Sequence, residues 1–333
     1  MSQVVSAATG PLLPVTILTG FLGAGKTTLL ASLLRRPDFA RTAVIINEFG
    51  DIGLDHDLVR ANTDARVLLL ESGCVCCSLR SDLTDTLRDL FRQRVLLKIP
   101  EFDRVIVETT GLADPVPILN ALQADPVTAV RFRLDGIVTV VDAVNGDAQM
   151  DVHAEAVRQS AMADRLILSK TDLANPAATA RLIARLAVLN PGVVPVSIRP
   201  GDVAPEILIS RTPGNPPRAV TELAPEAPDH AHDHDHGVGS FTFSYSNPLP
   251  WSRVSDALDA LLGAYGDRIL RLKAILAIVD EPLPVVIQGV GHILYPPTSL
   301  PAWPEGARSS RLVFITQGLT RAEVEPILAS HLG

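Results

Sequence analysis

Cysteine, lysine and long apolar runs are all scarce in this 333-residue chain. Its three cysteines fall between Cys74 and Cys77, too few and too close together for a disulfide framework, so they read as thiol chemistry in a reducing compartment. Positive charge is short as well. Lys and Arg number 29 against 37 Asp and Glu, a formal net charge of -8, which argues against a nucleic-acid partner because phosphate backbones are met by clustered basic side chains. Small anionic ligands are not excluded by that balance. No apolar stretch approaches the length that spans a bilayer, and residues 1–14 lack the basic n-region and sustained apolar core of a secretory signal. A soluble cytoplasmic protein with no membrane partner is the expectation. No internal repeat is present.

Against this background the stretch Gly-Phe-Leu-Gly-Ala-Gly-Lys-Thr-Thr at residues 20–28 stands out. It spells the P-loop GxxxxGK[ST], follows the apolar run at residues 15–18 and opens a helix-like segment at residues 27–35, the context the motif requires. Gly20, Gly23, Ala24 and Gly25 turn backbone N–H groups inward on phosphates, Lys26 reaches the β and γ oxygens, and the Thr27 hydroxyl is placed for Mg²⁺, with Thr28 beside it. Only four lysines occur in the chain, which makes an accidental match harder to obtain.

Short β-branched or Leu-rich runs at residues 15–18, 42–46, 66–70, 104–107, 136–141, 165–168 and 193–196 alternate with helical patterns. That alternation predicts an α/β fold with a mostly parallel, doubly wound sheet. Ligands of such sheets bind beyond the carboxyl ends of the strands, where most of the unusual polar segments fall. Residues 1–198 therefore read as a P-loop domain. Residues 199–239, rich in Pro, Gly, Ala, Asp and His with no periodicity, read as a linker, and residues 240–333 as a small α+β domain closed by a helix at residues 321–332 with Thr320 as its N-cap.

Two further segments complete a nucleotide site. The strand at residues 104–107 ends in Glu108-Thr109-Thr110-Gly111: Glu108 is an acid in the Walker B position, and Gly111 can offer its N–H to a γ-phosphate. Ser169-Lys170-Thr171-Asp172 matches the guanine-reading pattern NKxD except at its first position. Asp172 can accept from N1–H and the N2 amine of guanine, a pairing adenine lacks, and Lys170 would lie along the base. Ser169 is shorter than Asn and fixes the loop less well, which leaves strictness for GTP over ATP open.

Cys74-Val75-Cys76-Cys77 brings three thiols into four residues. Three thiolates leave a tetrahedral ion one open position, an arrangement suited to delivery; the same cluster also permits a redox switch. Glu48, on the loop after the second strand, is a candidate fourth ligand. His230, His232, His234 and His236 alternate with Ala or Asp in the linker and would gather metal weakly.

Taken together, the P-loop, Asn47-Glu48-Phe49-Gly50, the cysteine cluster, Glu108-Thr109-Thr110-Gly111-Leu112-Ala113-Asp114-Pro115, the His-rich linker and Gln288-Gly289-Val290 resemble the CobW-type GTPases. These are metallochaperones in the P-loop class that includes the nickel-insertion GTPases of hydrogenase and urease. The resemblance implies GTP hydrolysis coupled to a transition metal, Cys74, Cys76 and Cys77 as its ligands, Glu108 in place of the usual Walker B Asp, and a client metalloprotein. Ligand softness allows Zn²⁺ and Co²⁺ about equally. Two departures are Ser169 and Gly291, which stands where many relatives carry His. No residue announces itself as the positioner of the attacking water, which leaves turnover to a partner or to a homodimer. Two rival readings are a P-loop kinase of a small metabolite, against which stands the lack of an arginine-rich lid, and a passive metal buffer or thiol sensor, which leaves the P-loop unexplained.

Overall fold

The computed structural model describes residues 12–46, 68–71, 79–199, 204–208, 230–231, 236–304 and 308–333. The chain divides into two compact units, residues 1–138 with 201–209, and residues 139–200 with 210–333.

In the first unit, β1 (Leu13–Thr19), β2 (Thr42–Ile46), β3 (Leu68–Glu71) and β4 (Arg104–Glu108) lie in the order β3-β2-β4-β1. The pairs β1–β4, β2–β4 and β2–β3 are parallel. Strands β2 and β4 are almost wholly buried runs of Val, Ile and Ala, as expected where a parallel sheet is covered on both faces. The intervening helices are α1 (Lys26–Leu34), α2 (Leu79–Val95), α3 (Val116–Ala124) and the one-turn α4 (Pro126–Ala129). The order matters for function because it puts β1, which feeds the P-loop, next to β4, which ends in Glu108: Leu18 pairs with Glu108 in register.

β5 (Phe132–Asp142) runs beside β1 and crosses the division between the units. In the second unit it is followed by α5 (Gly146–Val152), α6 (Ala154–Met162), β6 (Arg165–Ser169), α7 (Pro176–Leu189) and β7 (Val196–Ser197), with β7 parallel to β6. α7 starts as its sequence dictates. The Asn175 side chain accepts from Ala177 N at 2.8 Å, and Pro176 occupies the first helical position, where no N–H is needed.

The same unit contains an antiparallel sheet in the order β12-β11-β10-β14-β9-β8, built from β8 (His230–Ala231), β9 (Val238–Tyr245), β10 (Ile269–Leu276), β11 (Val285–Val290), β12 (Ile293–Leu294) and β14 (Ser310–Gln317), with β13 (Thr298–Ser299) paired to β11. Helices α8 (Trp251–Tyr265) and α9 (Arg321–Leu332) complete it. Leu258, Leu261, Val324 and Leu328 join Leu272, Ala274, Leu276 and Phe314 in one apolar core, each buried aliphatic side chain contributing about 1.5–3 kcal/mol. Thr320 caps α9 through a reciprocal capping box with Glu323, as its sequence position suggests.

The linker is less featureless than its composition suggests. A 3₁₀ turn, Pro205–Ile207, buries Pro205, Ile207 and the following Leu208, and Thr16 Oγ1 of β1 donates to Leu208 O at 3.0 Å. Three apolar residues are too few to show a period. Helix α5, too, leaves little trace in the sequence, being short and mostly polar.

Candidate nucleotide site

The loop between β1 and α1 is shaped by glycine. Gly23 and Gly25 have φ of 73° and 90°, a left-handed conformation that costs other L-residues roughly 1–2 kcal/mol. Gly25 caps α1, and the first turn of that helix carries no acid, so no carboxylate there opposes an anion at the positive end of the helix dipole. Lys26 is 8% exposed and its Nζ donates to Gly20 O at 2.9 Å and Phe21 O at 3.3 Å. This holds the ammonium over the loop. Ala24 is buried, and Thr28 is exposed.

Thr27 Oγ1 donates to Glu108 Oε1 at 2.6 Å across 81 residues of sequence. Glu108 is 4% exposed. A hydroxyl and a carboxylate brought together at the mouth of a phosphate loop are the hard oxygen donors that Mg²⁺ takes, so the residues fit the ion. Just beyond Glu108, Thr109 N donates to Leu18 O at 3.0 Å and Thr109 Oγ1 to Thr19 Oγ1 at 2.8 Å. These bonds fasten the end of β4 to the end of β1. Gly111 follows at very close approach to the P-loop: a Cβ built on it would lie 2.5 Å from Leu22 N and 2.7 Å from Leu22 Cα. Glycine is needed here for want of space.

In the second unit the loop after β6 is held by the end of β5. Lys170 has φ 55°, and its Nζ lies 2.7 Å from Asp142 Oδ2. Asp142 is 1% exposed. Burial pushes its carboxyl up, but the Lys170 ammonium, the Asn145 amide and the N–H groups of Val144 and Asn145 together hold it below the usual carboxylate range. Ala143 N donates to Ser169 O at 3.0 Å, and Thr171 Oγ1 to Ile198 O at 3.0 Å. Asp172 is exposed at the tip, where a ligand can reach its carboxylate.

The metal-ligand candidates Cys74, Cys76, Cys77 and Glu48 lie outside the described residues, as do His232 and His234. Among the described residues no group of three or more His, Cys, Asp or Glu is arranged to hold a metal, and no helix is long and apolar enough to cross a membrane. His236 ring Nε2 lies 3.2 Å from Met150 O, and His292 Nε2 2.9 Å from Asp267 Oδ1 on the surface. Gln288, from the C-terminal motif, is buried and accepts from Arg271. Thr19, Thr109 and Asp142 are the residues that sequence reasoning passed over. An acid ending an apolar strand at Asp142 is the one signal that could have found any of them.

A glycine-shaped loop opening a helix, with its threonine on the acid that ends the neighbouring parallel strand, defines a nucleotide-binding protein of the P-loop class. Within that class the chain belongs to the CobW/HypB/UreG family, whose nucleotide-binding domain matches residues 14–196; the cobalamin synthesis protein cobW C-terminal domain matches residues 238–332. It is 35% identical to zinc chaperone YjiA of Escherichia coli (strain K12) over 95% of this chain and 97% of that one. Identity is 34% to zinc chaperone CobW of Pseudomonas aeruginosa, over 96% and 92%. The crystal structure of Zn(II)-bound YjiA GTPase from E. coli superposes with a TM-score of 0.74 at 29% identity, covering 97% of this chain and 100% of that one.

Proposed function

We propose that this chain hydrolyses GTP and couples that hydrolysis to carrying a transition metal, zinc being the cargo named in its relatives. The observation that carries the nucleotide half is the Thr27–Glu108 contact at 2.6 Å, which the sheet order creates beside the P-loop. In this reading the P-loop backbone and the Lys26 ammonium bind and orient the β and γ phosphates. Thr27 and Glu108 hold Mg²⁺, which when bound neutralises charge on the β and γ oxygens. Gly111 offers its N–H toward the γ-phosphate, and the 169–172 loop reads the base. Water attacks the γ phosphorus, the bond to the β–γ bridging oxygen breaks, and GDP leaves with the electron pair.

For the metal half, Cys74, Cys76 and Cys77, with Glu48 as a fourth donor, are the proposed ligands. Residues 47–55 follow β2, the neighbour of β4, and the cysteine loop follows β3, one strand farther out; the strand order supports a coupling of these segments to the γ-phosphate. GTP then favours the metal-loaded form and hydrolysis releases the ion to a client metalloprotein. The support is soft thiolate chemistry and the zinc chaperones among its relatives.

Linkage makes the coupling testable, because zinc must tighten GTP binding by the same factor that GTP tightens zinc binding. Zinc affinity is measured by competition with a chelator in Mg²⁺ with a non-hydrolysable GTP analogue, with GDP, and with no nucleotide. The expected gain with the analogue is about 5- to 150-fold, lost in Cys76→Ala while GTP binding persists. Equal zinc affinity in all three states would sink the coupling. Lys26→Ala should abolish GTP binding; tight binding by that variant would move the nucleotide site elsewhere.

A further inference from the structure

Ser169 stands where guanine-reading loops carry asparagine, and its hydroxyl donates to Val141 O at 3.3 Å. The loop is also held from outside, and one side chain that holds it lies on another strand. Asp142, at the end of β5, is an ionised carboxylate with room for about four donors, and four donors meet it. Val144 N at 2.8 Å and Asn145 N at 3.3 Å reach Oδ1; Asn145 Nδ2 at 3.0 Å and Lys170 Nζ at 2.7 Å reach Oδ2. The first three hold Asp142 to its own turn. Only the fourth reaches the loop. Lys170 itself sits at φ 55°, a region that non-glycine residues occupy when the surroundings hold them there.

We propose that Asp142 is a positioning residue for base specificity: by holding Lys170 it does from β5 what asparagine does within other guanine-reading loops. This rests on the reading of residues 169–172 as the base-reading loop. Asp142 acts through Lys170, whose stem then lies along the base and whose place in the turn fixes where the Asp172 carboxylate points. Asparagine at 142 would keep the two backbone bonds at Oδ1 and, because Asn145 can turn its carbonyl toward the new NH₂ group, would lose only the acceptor for Lys170.

The test compares binding of GTP, ATP and XTP to the full chain and to the variants Asp142→Asn, Lys170→Met, their double combination and Asp172→Asn, with melting curves for each. Asp142→Asn is expected to weaken GTP at least tenfold and ATP by less than twofold, with the loss appearing in KM and not in kcat. Lys170→Met, which removes the same contact from the exposed side, should match it if Asp142→Asn folds poorly, and the double variant should be no worse than the worse single one. Retention of the GTP-to-ATP ratio in Asp142→Asn, while Asp172→Asn exchanges GTP for XTP, would leave guanine reading intact and overturn the role of Asp142. Equal weakening of GTP and ATP would do the same. Equal affinity of the unaltered chain for GTP and ATP would overturn the base reading and this inference with it.

Discussion

At Gly111 one methyl group is too much. An alanine Cβ would meet the Leu22 backbone at 2.5 Å, and backbone cannot rotate away as the end of a flexible side chain can. Gly111→Ala must therefore separate the end of β4 from the P-loop. Since Glu108 is three residues upstream and touches Thr27, the two oxygens proposed for Mg²⁺ are displaced with it. Phosphate release should fall by on the order of 10²-fold and stability by about 1–3 kcal/mol, read in a phosphate assay and a denaturant titration. Unchanged turnover would show that the contact with Leu22 is incidental. Lysine use is equally telling at this scale. Of the four lysines, Lys26 bonds the P-loop carbonyls, Lys170 bonds Asp142 and Lys273 is buried.

Strand β10 is the element whose chemistry is least expected from its sequence. Ile-Leu-Arg-Leu-Lys-Ala-Ile-Leu alternates, but all eight residues are buried. Leu272, Ala274 and Leu276 face the helices α8 and α9, while Arg271 pairs with Asp164 and Lys273 Nζ donates to Asn190 Oδ1 at 2.6 Å and Pro191 O at 3.0 Å. Burial, together with the Arg271 charge and against the attraction of Asp164, lowers the Lys273 ammonium to about 7, whereas in the unfolded chain it titrates near 10.4. Above that unfolded value the stability is fully present. As pH falls toward 7 the unfolded chain takes up the proton first, so stability declines, and below the folded value the decline stops. Unfolding free energies from urea titrations at pH 6 to 10 should rise with pH by up to about 1.4 kcal/mol per unit from this group, and Lys273→Met should flatten that slope. Parallel slopes in the two proteins would mean that Lys273 stays charged. Glu323 in the α9 capping box works with opposite chemistry: the Thr320 N–H, then Arg268 and the Thr320 hydroxyl, lower it to about 2. Its contribution is present above the usual glutamate range and is lost as pH falls toward 2.

For the whole molecule, the compact units do not follow the two family domains. Residues 139–200, the last part of the nucleotide-binding domain, fold in one unit with the C-terminal sheet, and the buried Arg271–Asp164 pair lies inside that unit. Removing the guanidinium facing a buried carboxylate costs about 3–5 kcal/mol. Cutting the chain after residue 200 should therefore leave a nucleotide-binding domain that is strongly destabilised, and in the full chain Arg271→Met should cost more than the double change Arg271→Met with Asp164→Leu. Denaturant titrations decide this. A truncated chain as stable as the full one would show that the ion pair does not join cooperative parts.

The amino-acid sequence by itself determined the elements that rest on local chemistry. Glycine spacing set the P-loop, β-branched runs set the strands, and Thr320 with Glu323 set the start of α9, because backbone freedom, strand preference and capping act over a few residues. It also determined the family. The tertiary structure alone decided which distant groups meet. Thr27 finds Glu108 through the order β4-β1, Lys170 finds Asp142 through the end of β5, Arg271 and Lys273 are buried because another layer covers their face, and Thr16 of β1 bonds Leu208 just after the Pro205–Ile207 turn. A charged side chain on an alternating strand reads as solvent-facing until something packs over it. Whether something does depends on contacts between residues a hundred positions apart, which no local pattern records.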